Sequence, residues 1–125
     1  MKVISLFSGA GGLDLGFILA GHTVIWANDN FHDAVETYKA NLGDHILEGD
    51  ISDVDSSVLP DGDIVIGGFP CQGFSVANTE RSALDKRNKM YQEMIRIINS
   101  LRPKYFMAEN VKGILSLNKG QVFRI

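Results

Sequence analysis

The chain has a single cysteine in 125 residues, so it can form neither an internal disulfide nor a multi-thiolate metal site, as suits a reducing compartment. It also has no cationic excess. Twelve basic against 15 acidic side chains leave a net charge of −3, so any attraction to nucleic acid has to be local. No apolar run approaches the roughly 20 residues of a membrane span. Met1-Lys2-Val3 opens no cationic-then-apolar leader, and a cytoplasmic protein is expected. Internal repeats and low-complexity stretches are missing too. What is there is about one domain's length of chain, 45% hydrophobic, enough for a modest core. No resident metal is expected.

The patterning alternates between β-rich runs and helical periods. Residues 2–7 (KVISLF) read as a strand, followed by a glycine turn, Ser8-Gly9-Ala10-Gly11-Gly12, that opens a helix over about 13–20. A second strand is expected over 23–27 (TVIWA), ending in the polar Asn28-Asp29-Asn30. Phe31, Val35, Tyr38 and Leu42 recur at helical spacing, and residues 45–47 and 64–66 are further strand candidates. Met90, Met94, Ile97, Ile98 and Leu101 predict a helix over about 89–101 that Arg102-Pro103 ends, before a fifth strand at 105–108. Such alternation predicts an α/β fold with a mostly parallel, doubly wound sheet.

In a parallel sheet the polar ends of these strands share one edge. They are Ser8 to Gly12, Asn28-Asp29, Asp50, Gly67 to Gln72 and Glu109-Asn110. A strand, a glycine turn, a helix and an acid about 20 positions past the first glycine, as Gly9 and Asp29 are here, make a nucleotide-binding arrangement. The turn departs from G-x-G-x-x-G, because Asp14 stands at the third glycine position. A carboxylate there would repel a pyrophosphate but not a cofactor built from an amino acid and a sulfonium. Asp29 could then accept from ribose hydroxyls and Asp50 from an adenine amine. Taken singly, Asp50 reads better as a solvated loop acid and Asp29 equally well as one; their convergence on one edge favours a site.

The lone thiol lies in Gly67-Gly68-Phe69-Pro70-Cys71-Gln72-Gly73-Phe74-Ser75, just past an apolar strand. Most single cysteines are inert core side chains. Glycine, proline and glutamine flanks suit a core position poorly, and Pro70 stiffens the turn, so a presented, reactive Cys71 is the better reading. Arg81, Lys86, Arg87 and Lys89 precede the 89–101 helix, where cations oppose the helix dipole. Phosphate contacts would justify them, and so would a solvated loop.

Phe7-Ser8-Gly9-Ala10-Gly11-Gly12, Gly68-Phe69-Pro70-Cys71-Gln72, Asp85-Lys86-Arg87-Asn88 and Glu109-Asn110-Val111, in that order and spacing, resemble the N-terminal motifs of DNA (cytosine-5)-methyltransferases. The resemblance covers residues 3–111. It implies a Rossmann-like, S-adenosylmethionine-dependent methyltransferase fold, incomplete at the C-terminus, with residues 1–125 as the N-terminal part of the catalytic domain. It implies Cys71 as the nucleophile that adds to C6 of a flipped cytosine, and Glu109 as the acid that protonates or hydrogen-bonds N3. The cofactor would be held by Phe7, Gly9, Ala10, Gly11, Gly12, Leu13, Asp29, Asp50, Ile51 and Pro70. Gln72, Ser75 and Arg87 would meet double-stranded DNA. Asn30 stands where many members carry a bulkier side chain against the adenine, with Phe31 a possible substitute.

Sixteen residues follow Glu109, too few for the family's later motifs and its target-recognition region. A C-terminal complementing segment or subunit is therefore expected, and weak or no activity for this chain alone. The alternatives are a non-catalytic assembly module of a split enzyme and a relative acting on tRNA.

Overall fold

The computed structural model describes residues 1–70 and 90–110. The strands are β1 (Lys2–Leu6), β2 (Thr23–Asp29), β3 (Ile46–Glu48), β4 (Ile64–Gly68) and β5 (Tyr105–Glu109); the helices are α1 (Gly12–Leu19), α2 (His32–Asn41) and α3 (Met90–Leu101). All pairings are parallel, and the order across the sheet is β3-β2-β1-β4-β5. The chain therefore winds outward from β1 in one direction, then returns to pair β4 on its other side. Between β1 and β4 lies the reversal of winding where sheets of this kind open a ligand crevice.

Side-chain alternation along the strands explains the two layers of core. Ile4 and Leu6 of β1 and Val65 of β4 face α3 and pack with Phe69, Met94, Ile97 and Ile51. Val3, Ile64 and Ile66 face the opposite way, against Val24, Ala27, Val35, Tyr38 and Ile46. Helices cover both faces because a parallel sheet has both faces to bury. Among the described residues no helix is long and apolar enough to cross a membrane.

Three of the differences from the sequence expectation bear on the site. β2 runs two residues further, through Asn28 and Asp29, because β3 pairs alongside them and the Asn28 amide finds two inward acceptors. β4 likewise continues through Gly67 and Gly68, which pair with Ala108 and Glu109. The stretch expected to be loop after β3 contains two short 3-10 turns, Ile51–Asp53 and Ser56–Val58. Each is capped by the aspartate before it: Asp50 accepts from Ser52 N and Asp55 from Ser57 N, both at 2.9 Å.

Candidate active site

The site begins where β1 ends. Phe7 has φ 52°, a left-handed conformation that costs a non-glycine residue about 1–3 kcal/mol and is found mostly at functional turns. It turns the chain so that Ser8 N–H reaches Asn28 O at 3.0 Å. One residue on, Gly9 N–H donates to Asp29 Oδ2 at 2.8 Å, while Phe31 N–H donates to Asp29 Oδ1 at 2.9 Å. Asp29 thus ties the glycine turn to β2, and each oxygen retains a second lone pair for a ligand's hydroxyl.

Asn28, buried beside it, donates from Nδ2 to Leu47 O at 2.8 Å and Gly49 O at 3.0 Å. Those bonds bring the end of β3 against β2 and set the direction of the next residue, Asp50. Both hydrogen bonds to the Asp50 carboxylate fall on Oδ1, from Ser52 Oγ at 2.6 Å and Ser52 N at 2.9 Å. The Ser52 hydroxyl, then its amide, hold Asp50 below the usual carboxylate range, keeping it an ionised acceptor at neutral pH.

A cavity of about 490 Å³ lies across these strand ends. Of the sequence-predicted cofactor residues, Phe7, Asp29, Asp50, Ile51 and Pro70 line it, joined by Asn28, Asn30 and Gly49. Met90, from the start of α3, lines it as well. Sequence reasoning assigned Met90 to the core stripe of α3, and its helical spacing alone gave no sign that the first turn faces a cavity. Gly9 to Gly12 are not in this lining, and Leu13 faces a different cavity. Phe31 is 62% exposed and outside the lining, so Asn30 and not Phe31 faces the cavity.

The glycine turn rests on a buried polar hub. Asp14, fully buried in the first turn of α1, accepts from Ser5 Oγ and Tyr38 Oη, both at 2.6 Å. Tyr38 Oη also meets His45 Nε2 at 2.9 Å. Burial, then the bond to Asp14, push the Tyr38 phenol well above its ordinary range. The carboxylate at the third glycine position is thus held by Ser5 and Tyr38, and Asp14 also borders the smaller cavity that Leu13 faces. Its carboxylate turns inward, because Ser5 and Tyr38 give a buried charge the donors it needs. Gly11, the residue before α1, has φ 99°, and a Cβ there would fall 2.4 Å from Leu42 Cδ1 and 2.9 Å from Tyr38 Cδ2. Only glycine allows the turn to lie this close to α2.

A second cavity, of about 390 Å³, adjoins the first; Phe7 and Gly68 border both. Ser8, Leu13 and Glu109 line it. Glu109 lies directly over Gly68, where a Cβ would come 2.9 Å from Glu109 Oε2. The carboxylate is exposed, as are all five residues of β5. Next to it, Asn110 Nδ2 donates to Phe69 O at 3.2 Å, linking the end of β5 to the turn leading to Pro70. Cys71, Gln72, Ser75 and Arg87 lie outside the described residues.

The family described as C-5 cytosine-specific DNA methylase matches residues 1–125. The Type II methyltransferase M.NgoFVII of Neisseria gonorrhoeae is 48% identical over 120 residues, which are 94% of this chain and 32% of that protein. M.FnuDI of Fusobacterium nucleatum is 49% identical over 116 residues, 93% of this chain and 34% of that protein. Among solved structures, a prophage-encoded DNA modification methyltransferase of E. coli superposes with a TM-score of 0.84 at 33% identity, covering 99% of this chain and 36% of that one. The chain thus spans about a third of the length of these relatives. It belongs to the C-5 cytosine-specific DNA methylase family.

Proposed function

We propose that residues 1–125 are the N-terminal part of a catalytic domain that methylates C5 of cytosine in DNA, and that a C-terminal segment or subunit completes it. One observation carries the reading: five of the residues expected to hold a cofactor line one cavity, which shares Phe7 and Gly68 with the cavity that Glu109 lines. The first cavity suits an adenosine. Asp29 and Asp50 supply acceptors for hydroxyl and amine donors, and Phe7, Ile51 and Met90 supply apolar walls. S-adenosylmethionine bound there would supply an electrophilic methyl group.

This chain's own residues would do the rest. C5 of cytosine is a weak nucleophile, so Cys71 Sγ adds to C6 as a thiolate and places electron density on C5. Only a few per cent of a thiol with pKa of about 8.5 is ionised at neutral pH, so addition benefits from any group that stabilises the charge arriving on the ring. Glu109 does so by giving a proton or hydrogen bond to N3. Once C5 carries its methyl, H5 leaves as a proton, the C5–C6 double bond reforms and Cys71 is expelled. The base has to leave the duplex stack for either residue to reach it, and Gln72, Ser75 and Arg87 would contact the DNA around it.

Two observations support a completing partner. The chain spans about a third of its relatives, and β5 exposes Tyr105, Phe106 and Met107, an apolar strand of the kind soluble proteins cover. An assembly module without catalysis would use the same strand.

Trapping the adduct tests the reading. Incubated with S-adenosylmethionine and duplex DNA containing 5-fluorocytosine, this chain plus the C-terminal part of a family member should give a denaturation-resistant protein–DNA band. Either piece alone should give little, and Cys71→Ser none. A complemented wild-type mixture without the band would rule out the covalent role and leave the assembly reading.

A further inference from the structure

Arg96 lies on α3 and outside the cavity, yet its guanidinium is committed at all three nitrogens. Nη2 donates to Ile51 O at 2.9 Å and Nη1 to Val54 O at 3.0 Å. The third nitrogen, Nε, donates to Glu93 Oε2 at 2.8 Å, one turn back on the same helix. The two carbonyls belong to the first residue of the 3-10 turn Ile51–Asp53 and to the residue that ends it. The planar fork of an arginine therefore spans the whole turn, which a lysine's single nitrogen cannot do.

That turn carries one wall of the larger cavity. Asp50 caps it and Ile51 opens it, and both line the cavity; Met90, at the start of the helix that bears Arg96, lines it too. Asn28 fixes the turn only at its entry, through Leu47 and Gly49. At its exit, Arg96 is the side chain that holds the backbone. We infer that Arg96 is a positioning residue for the cofactor: by clamping Ile51 and Val54 to α3 it sets the distance between the Asp50–Ile51 wall and Met90.

The inference rests on the cofactor reading above, and the test separates the two. Affinity of the 125-residue chain for S-adenosylmethionine is measured by calorimetry well below the melting temperature, beside amide exchange of residues 50–54. Arg96→Met, which keeps the aliphatic stem, should weaken binding about tenfold and speed exchange at Ser52, Asp53 and Val54, while Asn28 and Asp29 exchange as before. Arg96→Lys, with one donor nitrogen restored, should fall between. Glu93→Gln, which leaves both carbonyl contacts, should stay within about twofold.

Unchanged affinity in Arg96→Met overturns the inference, even if exchange quickens. Equal weakening in Glu93→Gln overturns it as well, since the ion pair and not the clamp would then matter. Asp29→Ala probes the cofactor reading itself. A chain that does not bind, or binds equally well as Asp29→Ala, defeats that reading and the inference with it. Weakening in Asp29→Ala but not in Arg96→Met defeats the inference alone.

Discussion

The two halves of the crevice are built to different standards of enclosure. Beneath the glycine turn, Ser5, Asp14 and Asn28 are buried and each is hydrogen-bonded, and Tyr38 is fully buried against them. Glu109, across the crevice, stands on a strand exposed along its whole length. Buried polar groups must be satisfied within the chain that buries them, so the first half is self-sufficient. An exposed strand has no such requirement, and its final environment can come from another segment. The cofactor half should therefore be sensitive to substitution in this chain alone, and the chemical half chiefly in the completed enzyme.

The sharpest way to break that contrast is Gly11→Ala. It forces a Cβ into the left-handed region and onto Leu42 and Tyr38, and should cost about 2–4 kcal/mol, read from urea unfolding of this chain. Tyr38→Phe comes next. Removing the phenol takes one of two donors from the buried Asp14 carboxylate, with an expected loss of about 1.5–3 kcal/mol.

Gly68→Ala sits on the other side of the comparison. The nearest atom to its new Cβ is the tip of the flexible Glu109 side chain, so unfolding should change by less than about 1 kcal/mol. Adduct formation in the complemented enzyme should fall, because the carboxylate has to move. If Gly68→Ala unfolds the chain as readily as Gly11→Ala, the two halves are not distinct.

The smallest effect concerns pH. His32 Nδ1 and Glu48 Oε1 are 2.8 Å apart at the rim, and the hydrogen bond and charge of Glu48 raise the His32 pKa above its ordinary 6.5. Because the folded value is the higher one, this pair supports the fold fully below about 6.5 and loses its contribution as pH rises through the folded pKa. An NMR titration of His32 should move back toward the ordinary value in Glu48→Gln. Asp50, Asp55 and Asp63 run the other way. Ser52, Ser57 and the Lys2 amide respectively depress them, so their support is present above about 3.8 and fades as pH falls through the lower folded values.

Local pattern made much of the fold legible. Alternation of β-rich runs and helical periods yielded the strands, the helices and the parallel sheet, and missed the two 3-10 turns and the places where strands ran on into Asn28-Asp29 and Gly67-Gly68. Those residues disfavour strands locally but pair well once a neighbour is beside them. Part of the site was legible too. Asp29, Asp50 and Phe7 stand at strand ends, and strand ends of a parallel sheet share an edge whatever the details. Met90 and Arg96 were not legible as site components, since Met90 reads as core and nothing in the local pattern marks Arg96.

By itself, then, the sequence determined the order of elements, the family motifs and the side of the sheet on which they gather, because spacing and hydrophobic period are local properties of the chain. Only the tertiary structure decided that Asp14 turns inward to Ser5 and Tyr38, that Asn30 and not Phe31 faces the cavity, and that Arg96 reaches Ile51 across 45 residues. Each depends on which strand lies beside which and how closely a helix approaches. A buried charge takes the donors that packing brings to it, and those donors are far away in sequence.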